Sequence, residues 1–135
     1  MEVPVVRHFV ACRKIIGEPG TTDVTLESLI HAIVPSAGEE YPILRPEMAL
    51  YALLTNGRGI HSFALELTRF DEGDEVLLFR SPEREVHLGQ DPVAVLGMPI
   101  PLRNFVFETP GQHAFYLVCD GQRIAEEMIS LKEER

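Results

Sequence analysis

The sequence has no tryptophan and only two cysteines, Cys12 and Cys119, in 135 residues. A disulfide framework in a chain this short needs several cysteine pairs, so these two thiols do not define one. We interpret each cysteine as a small buried hydrophobic residue, with a Cys12–Cys119 bridge as the alternative. The three tyrosines and seven phenylalanines, the latter mostly at core-facing strand positions, do not favour a platform for sugars or stacked bases.

Positive charge is also scarce. The chain has 12 Lys and Arg against 21 Asp and Glu, a formal net charge of −9 and a sequence pI near 5.0. An acidic surface repels phosphate backbones and anionic lipids, so we expect neither nucleic acid nor a membrane surface as a partner. No apolar run is long enough to span a bilayer, and Arg7 interrupts the first apolar run, which argues against a signal peptide. These features predict a soluble cytoplasmic protein.

The motifs of common catalytic and cofactor sites are absent. No phosphate-binding loop, dinucleotide-binding glycine pattern or nucleophile elbow occurs, and we predict no cofactor. Cys119 with a histidine is a weak nucleophile candidate, because a reactive thiolate needs an electropositive neighbour and the flanks of Cys119 are acidic and apolar. The sequence therefore favours a protein that is not an enzyme, without deciding the question.

The histidines stand singly, without the spacing of a helix-borne metal site. There are five of them: His8, His31, His61, His87 and His113. We interpret them as surface or hydrogen-bonded core residues, and convergence of three in space is left open.

What the chain does contain is an ordinary globular composition, with 45% hydrophobic and 24% charged residues. The length suits one domain over residues 1–135, with Lys132 to Arg135 as a frayed tail. About eight short apolar segments are separated by regularly spaced turn signals. This pattern predicts an all-β fold, an antiparallel β-sandwich of about eight strands with at most one short helix.

The hairpin from Pro110 to Leu131 is the clearest element. Its two strands join at Asp120-Gly121, because a two-residue type I′ turn needs positive φ at both central residues. Three residues form its predicted core face: Phe115, Leu117 and Ile124. Ile129 and Leu131 have the opposite parity, so we predict a β-bulge near Ala125 to Met128, where one extra residue reverses the alternation.

Other segments are assigned by the same rules. Val24 to Ile33 has an apolar spacing that a helix also fits, and we predict a strand. Glu47 to Thr55 is apolar on both faces, which is typical of a central strand. A second hairpin is predicted at Asn56 to Gly59 and a loop at Pro35 to Pro46. Val3 to Ile16 is predicted to be a strand or a bent pair of strands. The remaining predicted strands are Ile60 to Phe70, Glu75 to Arg80 and Leu102 to Glu108.

An acidic turn between two predicted strands is the weak metal candidate. Four carboxylates surround Gly73: Asp71, Glu72, Asp74 and Glu75. Calcium prefers such oxygen ligands, but the spacing matches no EF-hand, and solvated turns are commonly acidic. The main prediction is therefore no bound metal.

Several segments together resemble a family of small, uncharacterised bacterial proteins known only as a domain of unknown function. The resemblance covers nearly the whole chain, and its motifs are structural. They are HFVACR at 8–13, TLESLIHAIVP at 25–35, TNGRGIHSF at 55–63, the stretch at 96–107 and PGQHAFYLVCDG at 110–121. His113 stands where relatives often carry an aromatic residue after Pro-Gly-x. The resemblance implies a bacterial, cytosolic β-sandwich and offers no catalytic residues to transfer.

Two functional hypotheses follow. The first is a non-enzymatic interaction or assembly module, which uses a sheet face or edge to bind a protein partner or a second copy of itself. The alternative is a small-ligand or metal-binding sandwich, with a site built from the scattered histidines and acidic residues. A complete β pattern without a convergent catalytic set favours the first.

Overall fold

The computed structural model describes residues 3–18, 22–91 and 93–133, and these contain strands and no helix. The all-β class is confirmed, with ten strands instead of about eight. They are β1 (Val5–Gly17), β2 (Val24–Leu29), β3 (Ala32–Ile33), β4 (Ile43–Thr55), β5 (Ile60–Asp71), β6 (Asp74–Arg80), β7 (Arg84–His87), β8 (Val95–Phe107), β9 (Gly111–Cys119) and β10 (Gln122–Leu131). None of the described residues belongs to a helix that could cross a membrane.

The strands form two sheets that pack face to face around one core. Sheet A has the order β2-β1-β4-β8, and sheet B has the order β3-β10-β9-β5-β6, with β7 pairing β5 beside β6. Every pair is antiparallel except β3 with β10. Alternate side chains of both sheets enter the core, as the period of two requires. The largest core side chains that are fully buried are Phe107, Phe115, Met48, Leu50, Leu54, Leu117 and Ile129.

The hairpin β9–β10 has the predicted turn. Asp120 and Gly121 have φ values of 51° and 80°, and Cys119 pairs with Gln122 across them. A bulge exists, but it lies at Ile124, between Arg123 and Ala125, and the pairing from Ala125 to Leu131 is unbroken. The predicted range was therefore one residue too late. The shift brings Ile129 and Leu131 onto the core face, which explains their parity.

The hairpin predicted at Asn56 to Gly59 is wrong. β4 belongs to sheet A and β5 to sheet B, so this loop crosses between the sheets. Asn56 does have a positive φ of 59°, as a turn residue should. Gly57 serves packing instead, because a Cβ there would lie 2.5 Å from the side chain of Leu88. Local turn chemistry was correct, but it does not specify which strand the chain pairs with next.

Other boundaries differ in the same local way. Val24 to Ile33 is extended as predicted, but it divides into β2 and β3, which belong to different sheets. The loop predicted to end at Pro46 ends earlier, because β4 already begins at Ile43. β8 is a single strand despite Pro99 and Pro101, which an edge position tolerates. At the C-terminal end, Lys132 N donates to Ile33 O at 3.0 Å; residues 134–135 of the predicted tail lie outside the described residues.

The two sheets contact each other along both lateral sides. On one side, the Glu127 carboxylate of β10 accepts a hydrogen bond of 3.2 Å from Ala11 N of β1. On the other side, the Phe79 ring of β6 meets the Phe105 ring of β8 edge to face, with centroids 5.4 Å apart. Glu127 occupies a core-facing position opposite Phe115. Burial raises the pKa of its carboxyl, and the hydrogen bond from Ala11 opposes this shift.

This geometry predicts how Glu127 affects stability. The pKa of Glu127 is raised in the folded state. Its favourable contribution to the free energy of unfolding is therefore present below the ordinary glutamate pKa and is lost as pH rises through the folded pKa. Glu127→Gln keeps an oxygen for Ala11 N, so we expect greater stability than the wild type at pH 7 and no difference near pH 4. Glu127→Ala leaves Ala11 N unpaired and should cost about 1–2 kcal/mol. Urea unfolding from pH 4 to 8 measures both, and a glutamine variant less stable at pH 7 would contradict the assignment.

Candidate functional site

β6 is the most exposed strand among the described residues. All seven of its residues are solvent-exposed, including four consecutive apolar side chains from Val76 to Phe79 with exposures between 36% and 51%. β6 pairs with β5 on one side, and no strand in the described part of the chain pairs with its other side. An apolar edge with unpaired backbone groups is a place where another strand can add to a sheet.

The other sheet edges carry features that hinder such addition. β8 has Pro99 and Pro101, which lack the N–H group that a ladder needs. β3 is only two residues long. β2 contains Ser28 with a φ of 56°, which interrupts its extended backbone. β6 has one comparable feature, an extra residue at Leu78 where its register with β5 shifts. β7, a four-residue strand on the same side of β5, is also open on its outer side, so β6 is the longest edge strand of the described structure that contains no proline.

On the outer face of sheet B, a network of charged and aromatic side chains connects β6 to the neighbouring strands. The Glu66 side chain of β5 is 8% exposed; its carboxylate accepts a hydrogen bond from Arg123 Nε at 2.9 Å and forms an ion pair with Arg80 Nη1 at 3.2 Å. Glu75 accepts hydrogen bonds from Arg123 Nη1 at 2.6 Å and from the Tyr116 hydroxyl at 2.8 Å. The Arg123 guanidinium lies 3.8 Å from the centroid of the Tyr116 ring. Strands β5, β6, β9 and β10 are thus connected through side chains as well as through the ladder.

The protonation states of this network are well separated. The hydrogen bond from Tyr116 and then that from Arg123 lower the pKa of Glu75. Burial and the bond to Glu75 raise the pKa of Tyr116 to about 12. At neutral pH the Tyr116 phenol therefore donates and the Glu75 carboxylate accepts, so this hydrogen bond has one arrangement of its proton. β6 is held in one position, which lowers the entropy lost when a partner binds.

The acidic turn predicted from the sequence connects β5 to β6. Asp71 accepts two bonds from the Arg69 guanidinium, at 2.8 and 3.0 Å, and Glu75 belongs to the network above. Glu72 and Gly73 form the turn itself, with φ values of 48° and 89°. Over residues 3–18, 22–91 and 93–133 these carboxylates do not bring three ligand atoms within 4.8 Å of one another. Calcium binding by Asp71, Glu72, Asp74 and Glu75 stays a minor hypothesis.

The structure brings together a different cluster, at the β9–β10 turn. Asp120 Oδ2 lies 2.6 Å from His61 Nδ1, and Asp120 Oδ1 accepts a bond of 2.8 Å from Ser62 N. His61 Nε2 lies 2.8 Å from Arg58 O. Both ring nitrogens of His61 thus lie within hydrogen-bond distance of an oxygen atom. His61 is buried, so the cluster anchors the turn to the start of β5.

Cys119 completes this cluster, with its Sγ within 4.8 Å of ligand atoms of His61 and Asp120. Burial, followed by the charge of Asp120, raises the pKa of the thiol to about 12. The bond from Ser62 N, followed by that from His61, lowers the pKa of Asp120. A neutral buried thiol is the opposite of a reactive thiolate, so Cys119 is not suited to nucleophilic catalysis. Among the described residues neither Cys119 nor Cys12 forms a disulfide.

The remaining histidines do not converge on this cluster. His8, His31 and His87 are exposed on separate segments. His113 is buried, its Nδ1 lies 2.9 Å from Gly111 O, and burial lowers its pKa. Among the described residues, the group of three or more possible ligands around His61 contains no second histidine. No sequence signal indicated the pairing of His61 with Asp120, which are 59 residues apart.

The network beneath β6 predicts unequal costs for two glutamates. Glu66→Ala removes a buried carboxylate that pairs with two arginines, and we expect a loss of about 1–3 kcal/mol in the free energy of unfolding. Glu83→Ala is the matched control, because Glu83 is exposed and lies 3.8 Å from the same Arg80. Its expected cost is about 0–0.5 kcal/mol. Equal costs in chemical denaturation would contradict a structural role for the network.

One solved structure that resembles the chain is the Pseudomonas fluorescens alkylpurine DNA glycosylase AlkC bound to DNA containing an abasic site analog. The match has 12% sequence identity and a TM-score of 0.49, and it covers 96% of this chain but only 30% of that one. A likeness this weak carries no argument about fold or function.

Comparison with curated proteins finds no match. A family model does match, over residues 31–132, which include β3 to β10. The resemblance noted in the sequence is therefore confirmed, and the chain belongs to the family of unknown function DUF6941.

Proposed function

We propose that the protein is a non-enzymatic interaction module that pairs with a second copy of itself through the open edge of β6. The observation that carries the proposal is the self-complementary order of charges along this strand. Asp74 begins it, Arg80 ends it, and the exposed apolar residues Val76 to Phe79 lie between them. When two copies of such a strand align antiparallel about Leu77, the acidic end of each lies beside the basic end of the other, although the extra residue at Leu78 places the Asp74 and Arg80 side chains on opposite faces of the sheet and Arg80 keeps its ion pair with Glu66.

The hydrogen-bond pattern supports the same alignment. Asp71 and Asp74 flank a two-residue turn and therefore form a hydrogen-bonded pair. Hydrogen-bonded and non-hydrogen-bonded pairs alternate along an antiparallel ladder, so the backbone N–H and C=O of Val76 also point towards β5. Glu75 and Leu77 then direct their N–H and C=O groups to the open edge. A two-fold axis at Leu77 lets the two copies exchange a pair of backbone hydrogen bonds, which gives an isologous interface.

Two features oppose this pairing and limit its strength. The extra residue at Leu78 twists the strand and disturbs the ladder beyond Leu77. Each copy also has a net charge of −9, and like charges repel. A contact of one short strand falls in the range of small, transient interfaces. We therefore expect a weak and reversible dimer with a Kd of about 10–100 μM, a range that corresponds to ~5.5–7 kcal/mol.

The non-enzymatic part of the proposal is supported by the polar groups themselves. The Cys119 thiol has a pKa raised to about 12, and the His61–Asp120 pair is occupied by its own hydrogen bonds. The Glu66–Arg123 network is likewise saturated by internal partners. The two buried thiols, unbridged in the described structure, support a reducing compartment such as the cytoplasm.

The proposal predicts that one charge on the edge abolishes self-association. We expect the wild-type weight-average mass to rise with concentration in sedimentation equilibrium, and Leu77→Lys to remain monomeric, because a lysine on an edge strand opposes pairing. Leu44→Lys is the control, since Leu44 is similarly exposed but lies on β4 of sheet A. A wild-type protein that stays monomeric up to millimolar concentration would overturn the proposal.

Cross-linking tests the register. Leu77→Cys places two thiols directly opposite each other across the axis, with an expected Cα–Cα distance of about 5.5 Å, which a disulfide can span. Mild oxidation should give a dimer at protein concentrations where Leu44→Cys does not. The native thiols do not interfere, because both are buried. Equal cross-linking of the two variants would show that the contact is not specific to β6.

A further inference from the structure

A cleft opens between the two sheets on the lateral side where β7 of sheet B lies across from β8 of sheet A. Its volume is about 760 Å³, which lies within the range of small-molecule sites. Three buried core side chains form its floor: Phe63, Leu65 and Leu117. The cleft therefore ends against the apolar core of the sandwich, and none of the residues that line it belongs to β6.

The strand register identifies the side chains that form the walls of the cleft. Residues that pair directly on neighbouring strands point to the same face of a sheet. On β8, three apolar residues pair with core-facing residues of β4 and therefore point between the sheets: Leu96, Met98 and Ile100. On β7, Val86 pairs with the buried His61 and packs against the core. These four wall side chains are only partly buried, so they present apolar surface to the cleft.

Arg84 places a positive charge at the rim of this apolar cleft. It is exposed, and it pairs with Phe63 across the β5–β7 ladder, so its side chain points to the same face as the floor. Within residues 3–18, 22–91 and 93–133 it forms no ion pair. Of its acidic neighbours along the chain, Glu83 lies 3.8 Å from Arg80, and Glu85, which also borders the cleft, alternates onto the opposite face of β7.

We infer that this cleft binds a medium-chain carboxylate, whose alkyl chain lies between β7 and β8 and whose headgroup pairs with the Arg84 guanidinium. From Leu96 to Ile100 an extended strand covers about 13 Å, which accommodates a chain of about eight carbon atoms. The alkyl chain removes the wall side chains from water, and the flexible side chain of Met98 adapts to its shape. The planar guanidinium suits a carboxylate, because it donates two parallel hydrogen bonds. Binding involves no bond-making step.

Three probes test the alkyl chain and the headgroup separately: octanoate, butyrate and octanol. Each is titrated to about 3 mM into the ¹⁵N-labelled full chain, a range that detects a Kd near 1 mM. We expect octanoate to bind, and butyrate to bind on the order of 100-fold more weakly, because it buries four fewer methylene groups. Octanol lacks the charge and should bind about fivefold more weakly than octanoate. A silent octanoate titration, or equal binding of octanoate and either other probe, would overturn the inference.

Methionine methyl groups report where the ligand lies. Met98 is a wall of the cleft, whereas Met128 is exposed on β10 and does not line it. In the full chain labelled with ¹³C at the methionine methyl groups, octanoate should shift the Met98 signal and leave the Met128 signal unchanged. Met98→Leu and Met128→Leu assign the two signals, each by its loss. Equal shifts of both signals would mean non-specific association with apolar surface and would overturn the site.

Arginine variants test the headgroup contact. Arg84→Gln should weaken octanoate binding about fivefold and leave octanol binding unchanged, because only the carboxylate uses the charge. Arg103→Gln is the matched control, since Arg103 is an exposed arginine of β8 that follows the core-facing Leu102 and does not line the cleft. Equal losses in the two variants would mean non-specific attraction and would overturn the role of Arg84. Leu77→Lys should bind octanoate like the wild type, which separates this site from the proposed dimer; a loss there would overturn its placement.

Discussion

The antiparallel pairing of β5 with β9 is the constraint on which the rest of the structure depends. Phe63, Leu65 and Leu67 lie opposite Cys119, Leu117 and Phe115, and all six side chains enter the core against sheet A. The intervening residues of both strands are buried too, although they point to the other side of the sheet. β5 and β9 are therefore buried on both faces. The described chain has no third layer of strands or helices, so something else must bury their outer face.

Side chains supply that cover, and this explains why a carboxylate lies at 8% exposure on the middle of a sheet. Arg123 lies flat over the Tyr116 ring, and its charge requires acceptors once water is displaced. Glu66 and Glu75 provide them. Since Glu75 belongs to β6, covering the face of sheet B also fixes the position of its edge strand. The exposure of Val76 to Phe79 is then a property of a rigid edge and not of a loosely attached segment.

The sequence predicts those features that depend on neighbouring residues. Asp120-Gly121 forms the expected turn because both positions need positive φ, and the parity of Ile124 and Ile129 required a bulge whose location was missed by one residue. Asn56-Gly57 is a similar turn signal, but the hairpin predicted from it is wrong, because a turn does not specify which strand the next strand pairs with. The pairing of His61 with Asp120 depends on the topology of sheet B, and no local pattern contains that information.

The two tyrosines that lie on the outer faces show how the sheets differ. Both side chains are buried against their own sheet. On sheet B the Tyr116 hydroxyl donates to Glu75, and the arginines around it are paired, so the surface satisfies itself. On sheet A the Tyr51 hydroxyl lies against Gly97 and has no hydrogen-bond partner in the described chain. An unpaired buried hydroxyl costs free energy that a paired one does not, so the outer face of sheet A is less fully satisfied than that of sheet B, although the two tyrosines are buried to a similar degree.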